Sequence, residues 1–393
     1  MRLDQDLNRI LKTICHDDPS FKGVQAGKID SRLEEIRQHV ERNDVEGFLL
    51  STMALLSLPA NGHTRLIPNR SISVLPLRFV AIGTVFRLTA APPQYREYLG
   101  GRLVTVNGVG IDALEDAARP YLAGTRQRQR AIGGIIFVWP NALIRLGAGP
   151  KNDGFEYELE VETGENVRIR VDEDASVPAA CLYPQNEHGR PGASQNINAI
   201  AETEDWPGNG FSIRLPSFFD PDGDTLPKSI RRVVDQVSAR QGCTLLIDVR
   251  GNTGGDFLET MPLITEIATN WQGGRCAMLV DKFTFSAAIV FVAILKHRLG
   301  NRLTLIGEEM GDGLRFFAEG GLIDLPQCGA LVRYSTALHD WENGVADRTT
   351  PRDIAEQLVP VGQLKIDLHH VASCDEMRSQ RGFYLKIFDG LRE

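Results

Sequence analysis

Leu245-Leu246-Ile247-Asp248-Val249 is a short run of branched apolar residues that stops at Arg250-Gly251-Asn252-Thr253-Gly254-Gly255. That is the pattern of a strand running into a glycine loop. After a helical stretch, Cys276-Ala277-Met278-Leu279-Val280 reads as the next strand. The segment Asp281-Lys282-Phe283-Thr284-Phe285-Ser286 then leads into Ala287 to Leu295, which is apolar all round. A helix without a polar face is a buried helix. Upstream, Phe211-Ser212-Ile213-Arg214-Leu215-Pro216 reads as a strand and Leu226 to Arg240 as a helix, giving the β-α-β alternation of a layered α/β domain.

Elsewhere the periodicity changes. Leu3, Leu7, Ile10 and Leu11, then Ile36, Val40, Val45, Phe48 and Leu49, recur at helical spacing and predict helices over 1–58. Asn61-Gly62-His63-Thr64-Arg65-Leu66 breaks this with a turn followed by a strand. Phe79 to Ile82 and Val85 to Leu88 read as strands joined at Gly83, and Gly101 to Gly108 is followed by the amphipathic Ala113 to Leu122. Phe155 to Glu162 alternates apolar with acidic residues, turns at Thr163-Gly164-Glu165-Asn166 and continues as Val167 to Val171, a hairpin with acidic residues facing basic ones. The basic run Arg126 to Arg130 reads as a solvated face, and residues 184–210, rich in Pro, Gly, Asn and Glu, as a linker or flap. Leu331 to Ser335 predicts a strand leading to the polar cluster His339-Asp340-Trp341-Glu342, and Glu376 to Arg392 a terminal surface helix.

Composition narrows the classes. A chain of 393 residues with 42% hydrophobic content holds two or three ordinary cores. Its net charge of −8, with both signs interspersed, argues against nucleic acid or an anionic membrane as partner. The first residues carry charge where a secretory leader would be apolar, and no stretch reaches transmembrane length, so a cytoplasmic location is expected as the sequence stands, with export implied only if a leader has been removed. The six cysteines, Cys15, Cys181, Cys243, Cys276, Cys328 and Cys374, are widely spaced, which favours free thiols and gives no metal-site pattern.

The chemistry follows from position. Ser286 stands where a loop gives way to a helix, beside N–H groups that the first helical turn leaves without partners. The glycines of the preceding loop carry no Cβ, so their backbone can approach a carbonyl closely and supply a further donor. A nucleophile with an oxyanion hole is one reading. The plainer one is a serine that caps its helix and glycines that make a tight turn.

The order and spacing of these pieces resemble the tricorn-core and C-terminal processing peptidases. The matching residues are Leu246 to Gly255, Thr284-Phe285-Ser286-Ala287-Ala288 and Leu305-Ile306-Gly307-Glu308, within a stretch from Phe211 to Pro326. The resemblance implies a serine peptidase in which Ser286 is the nucleophile, and the N–H of Ala287 with that of Gly254 or Gly255 forms the oxyanion hole. The tricorn-like branch places its base in a His-Thr pair upstream of the core, and His63-Thr64 resembles that pair. Histidine suits the task because its ordinary pKa lies near 6.5. A glutamate after the nucleophile holds a serine beside the base in that branch. Glu342 falls near its place, but Gly62 stands where the serine would be, so Asp340 or His339 is an alternative support. Other members use a serine-lysine dyad, yet Gly307-Glu308-Glu309-Met310-Gly311-Asp312-Gly313 contains no lysine. Lys282, which precedes Ser286, is read as solvated or substrate-facing.

The implied fold is α/β: a crotonase/ClpP-like layered peptidase core over 206–372, with an N-terminal helical cap over 1–60. Residues 61–125 hold the His63 segment and a unit resembling a PDZ-like module, which takes up extended peptide by strand addition. Residues 126–205 are a connecting region with the hairpin, and 373–393 a tail helix. The implied partner is a peptide or unfolded protein, the oligomeric state is open with a homo-oligomer included, and no metal or cofactor is implied. Gly251 to Gly255 lacks the Gly-Lys-Ser/Thr ending of a phosphate loop. A second reading, favoured by the missing lysine and by Gly62, is a weakly active or inactive relative that binds peptide or a hydrophobic ligand in the same cleft.

Overall fold

The parallel strands read from the sequence form one mixed sheet. In the computed structural model, which describes residues 3–68, 72–179, 201–220, 222–373, 376 and 380–391, the chain divides into two compact units. One comprises Met1–Glu187 with Phe317–Ala337, the other His188–Phe316 with Leu338–Glu393. Both mix helices and sheet, so the protein is α/β.

The second unit is built on six strands in the order Glu202–Trp206, Gly210–Arg214, Thr244–Asp248, Cys276–Val280, Leu303–Gly307 and Leu368–His369. The first pair is antiparallel and every later pair parallel. Parallel strands need crossovers; the first three are the helix Thr225–Ser238, the helical stretch from Leu258 to Asn270, and the helix Ala287–Leu299. Cys276–Val280 is buried throughout, which is why it reads as an unbroken apolar run. The helix Ala287–Leu299 is buried from Ala287 to Leu295, as its missing polar face predicts. The Gln380–Gly390 helix packs Phe383, Tyr384 and Phe388 against Trp206, Leu246, Ala277, Leu279 and Ile306. It is the terminal surface helix expected, with one face exposed and the aromatics of the other covering the sheet.

The expected flap at 184–210 lies outside the described residues as far as 200. Its last part is a strand, Glu202–Trp206.

In the first unit, helices Leu3–Lys12, Ala26–Glu41 and Val45–Leu56 occupy the region of helical periodicity. Arg65–Pro68, Ala330–Tyr334 and Gly321–Leu325 form a three-stranded antiparallel sheet. A second antiparallel sheet runs Arg78–Ile82, Val85–Ala90, Arg102–Val106, Gly154–Glu160 and Asn166–Asp172. Asn107 and Gly108, with φ of 48° and 83°, turn Arg102–Val106 back into Val109–Gly110, both in the left-handed region that this tight hairpin requires. In the predicted hairpin Glu156 faces Arg170 and Glu158 faces Arg168. The helix expected over Ala113 to Leu122 ends at Ala118 and passes into a 3₁₀ turn, Arg119–Tyr121, because Pro120 has no N–H to continue it. The basic run is no solvated face either: it forms the helix Arg126–Ile132, capped by Thr125, with Arg128 buried and Arg130 Nε 3.4 Å from Glu115.

Candidate active site

In the second unit the site is built from strand ends. The segment Gly251 to Gly255 follows Thr244–Asp248, and Gly251, Gly254 and Gly255 have φ of 73°, 106° and 129°, values that only glycine adopts without strain. Asn252 is completely buried and organises the loop. Its Nδ2 donates to Leu215 O at 2.9 Å, its Oδ1 accepts from Gly254 N at 2.9 Å, and its carbonyl accepts from Phe285 N at 2.9 Å. The loop is thereby tied to the strand before it and to the segment that carries Ser286.

Asp281 makes the second tie. Its Oδ1 accepts from Gly251 N at 3.0 Å, Phe283 N at 3.0 Å and Thr284 N at 2.9 Å. Burial pushes this carboxyl above the usual range, against the pull of the Gly251 N–H and of Lys282. Lys282 is buried, and its Nζ meets both Glu308 oxygens at 2.8 and 2.7 Å. The solvated or substrate-facing role expected for it is thus corrected: it ties the end of Cys276–Val280 to the end of Leu303–Gly307. Gly311 N donates to Thr284 O at 2.9 Å, so the lysine-free turn braces the Ser286 segment.

Ser286 begins the helix Ala287–Leu299 with φ 58° and ψ −129°, and its side chain makes no cap hydrogen bond. That backbone region is sparsely populated for a residue with a Cβ, and holding it costs roughly 1–3 kcal/mol. The plainer reading of Ser286 as a helix cap does not describe its geometry. Gly254 lies directly against it: a Cβ built on Gly254 would fall 2.7 Å from Ser286 Cβ and 3.1 Å from Ala287 N. Ser286, Ala287 and the glycine loop are therefore brought together. Gly254 N–H is committed to Asn252. Phe218 bridges to Gly254 O and Asp256 N, at 2.9 and 2.8 Å, so the Gly255 N–H takes no part in that bridge. The donors the arrangement offers are the N–H groups of Gly255 and Ala287.

His63 belongs to the first unit, in the turn between Val45–Leu56 and Arg65–Pro68, and is buried rather than solvated. Its neighbours in sequence, Asn61 and Thr64, belong to a buried polar network. Asn61 Nδ2 donates to Thr64 Oγ1 and to Ser335 Oγ, each at 3.0 Å. Thr64 Oγ1 donates to Asp18 Oδ2 at 2.6 Å, a charge-assisted bond. With that proton committed, Ser335 Oγ is the donor in its 3.1 Å contact with Thr64. Ser335 N completes the set at 3.1 Å from Asp18 Oδ2, and Asp18 Oδ1 accepts from Ser20 N and Oγ at 2.9 and 2.6 Å. Arg65 Nη1 donates to Gly62 O at 2.7 Å; burial, with Arg128 and Arg333 nearby, pushes the Arg65 guanidinium down to about 9.

Glu342, in the second unit, is exposed, and its backbone carbonyl accepts from Gly362 N at 2.9 Å. Its neighbours are buried: His339 stacks on Phe316 with ring centroids 5.0 Å apart, and Asp340 accepts from Asn343 N at 3.0 Å. Among the described residues no group of three or more His, Cys, Asp or Glu is arranged to hold a metal ion, and no helix is long and apolar enough to cross a membrane.

Sequence reasoning did not single out Asn252, Asp281, Asp18, Asn61 or Ser335. Asn252 stood inside the quoted glycine motif, where a buried amide is the natural way to hold a loop's N–H groups. Asp18 and Ser335 lie 317 residues apart in the chain, and no local pattern links them.

No protein-family model matches the sequence, and no curated protein matches it. Solved structures do. The structure of mature CPAF complexed with lactacystin is 12% identical, covers 99% of this chain and 97% of its own, and superposes with a TM-score of 0.62. The crystal structure of mature CPAF is likewise 12% identical, covers 99% of this chain and 95% of its own, and gives a TM-score of 0.61. Over nearly its whole length the chain has the fold of mature CPAF.

Proposed function

We propose that this protein is a serine peptidase in which Ser286 attacks the scissile carbonyl. The observation that carries the reading is the Ser286 backbone, held at φ 58° at the start of a buried helix with Gly254 packed against it. A strained serine beside the Ala287 N–H at the helix start is arranged for attack and for charge on the carbonyl oxygen. The Gly255 and Ala287 N–H groups take up that charge, while Asn252 holds Gly254 in place. His63 accepts the serine proton and passes it to the leaving amine. Glu342, whose exposed side chain has no packing role, is the carboxylate offered to the base. The sequence resemblance to tricorn-core and C-terminal processing peptidases supports this reading, as does the fold shared with CPAF, a serine-type peptidase. In the same reading the six-stranded unit is a crotonase-like core, the first three helices are a cap, and the strands and helix of 78–118 are a PDZ-like module for extended peptide.

The test is reaction of the purified protein with a fluorophosphonate probe, with Ser286→Ala and His63→Ala beside the wild type. Labelling of the wild type and loss in both variants is expected. A folded wild type that labels no more than Ser286→Ala overturns the proposal.

A further inference from the structure

Asp248 is the last residue of the strand Thr244–Asp248, immediately before the loop that faces Ser286, and it is 1% exposed. Two groups satisfy its carboxylate. Arg250, two residues on, donates its backbone N to Oδ1 at 2.9 Å, its Nε to Oδ1 at 3.0 Å and its Nη2 to Oδ2 at 2.7 Å. The other group is Tyr384, from the C-terminal helix Gln380–Gly390, whose hydroxyl donates to Oδ2 at 2.6 Å. The same helix contacts the arginine: Arg250 Cζ lies 4.9 Å from the Phe383 ring centroid, within cation–π range. Phe383 also stacks on His370, 4.7 Å away, and His370 N donates to Gly307 O at 3.0 Å. The segment thus reaches the ends of two strands that border the site. Gly251, next after Arg250, is in turn bound to Asp281.

This is more than a helix needs in order to cover a sheet. Phe388 and Leu391 cover it with apolar surface alone, whereas Tyr384 places a hydroxyl against a buried carboxylate whose remaining partner shapes the loop. Burial works to raise the Asp248 carboxyl, and the adjoining Arg250 guanidinium holds it below the usual range. Burial and that same carboxylate push the Tyr384 hydroxyl well above its usual value, so it stays a donor. Without the hydroxyl, Oδ2 loses one of its two hydrogen bonds, and the Asp248–Arg250 pair at the start of the loop loses its hydrogen bond to the C-terminal helix.

We propose that Tyr384 is a positioning residue for the oxyanion-binding loop, acting through Asp248 and Arg250. Tyr384 then acts on the loop, while Phe388 serves only to hold the helix on the sheet. This rests on the serine peptidase reading of the Ser286 site, and the test separates the two. In the full chain, Tyr384→Phe is compared with Phe388→Leu, which alters the same helix face without touching Asp248. Three quantities are measured: the fluorophosphonate labelling rate, kcat and KM on a labelled peptide, and hydrogen exchange of the amides from Gly251 to Gly255. For Tyr384→Phe, labelling and kcat should fall about tenfold with KM within about twofold, and the loop amides should exchange about tenfold faster, as expected for loss of one outer support of a preorganised donor. Phe388→Leu should lower the melting temperature yet leave the labelling rate and loop exchange near wild type. Wild-type loop exchange in Tyr384→Phe overturns the inference, as does an equal loosening of the loop by Phe388→Leu. If the wild type does not label at all, the peptidase reading fails, and the exchange rates alone decide whether Tyr384 holds the loop.

Discussion

The Ser286 region and the His63 turn are put together in opposite ways. Around Ser286, geometry comes from the backbone: three glycines with positive φ, a serine forced to φ 58°, and a helix start packed against them. At the His63 turn it comes from side chains, with Asp18 and Ser335 brought from distant parts of the chain to Asn61 and Thr64 in one buried network. A site made of backbone tolerates almost no added atom. One made of side-chain hydrogen bonds tolerates shape changes better than a lost donor or acceptor. The two should therefore break under different substitutions.

The largest effect is expected at Gly254. An alanine there must hold φ 106° and place its Cβ 2.7 Å from Ser286 Cβ. Backbone strain and overpacking together cost about 2–5 kcal/mol, and the displaced serine should lose nearly all labelling. Urea unfolding with parallel probe labelling checks both. Gly313, where a Cβ would meet open space, is the control and should tolerate alanine with little change. A Gly254→Ala protein that labels at the wild-type rate would remove the backbone account of the site.

Asp18→Asn probes the other construction. Asp18 accepts four hydrogen bonds, from Ser20 N, Ser20 Oγ, Thr64 Oγ1 and Ser335 N. An amide turns one acceptor into a donor facing donors, at a cost of about 1–3 kcal/mol. The melting temperature should fall by several degrees, and probe labelling by about tenfold as the His63 turn loosens. Thr64→Val, which keeps shape and removes the hydroxyl, should reproduce most of both effects. If Asp18→Asn lowers stability but leaves labelling unchanged, the network serves the fold alone.

This contrast also explains what the sequence revealed. The apolar runs 245–249 and 276–280, the glycines and the unbroken apolar helix are local patterns, and the second unit's strands and the neighbourhood of Ser286 could be read from them. The network at His63 could not, because its members sit 46 and 271 residues from Thr64. Lys282 was misread for a related reason: a lysine is nearly always solvated, and only the register of two strand ends brings Glu308 to it. The C-terminal helix was read as a surface helix, but its sequence does not say what its aromatics cover.

Acid should separate the regions again. Asp248 is held below the usual carboxylate range by Arg250 in the folded second unit, although burial opposes this. Such a group stabilises the fold above its unfolded pKa and loses that contribution as pH falls through the lower folded value. In a Trp139→Phe background the remaining tryptophans, Trp206, Trp271 and Trp341, all lie in the second unit. Their unfolding midpoint in urea should drop as the pH falls below the ordinary carboxylate range, and Asp248→Asn should flatten that drop while lowering the midpoint at neutral pH. An equally steep acid dependence in Asp248→Asn would show that other carboxylates carry it.

The smallest structural effect, and the cleanest chemical one, is expected at Glu342. Its side chain is exposed while Trp341 and Asp340 beside it are buried. Surface substitutions of this kind usually change stability by less than about 0.5 kcal/mol, so Glu342→Gln should melt with the wild type. Any loss of rate is then chemistry and not folding. If this carboxylate stabilises the imidazolium that forms as His63 takes the serine proton, kcat should fall about three- to tenfold with KM unchanged, since the interaction exists only once charge has developed. A wild-type kcat in Glu342→Gln would leave orientation of the base to the Asn61, Thr64, Ser335 and Asp18 network, and Asp18→Asn would then have to account for the whole loss. The two substitutions combined give the coupling: a double variant worse than the product of the singles means that each supports the histidine where the other fails.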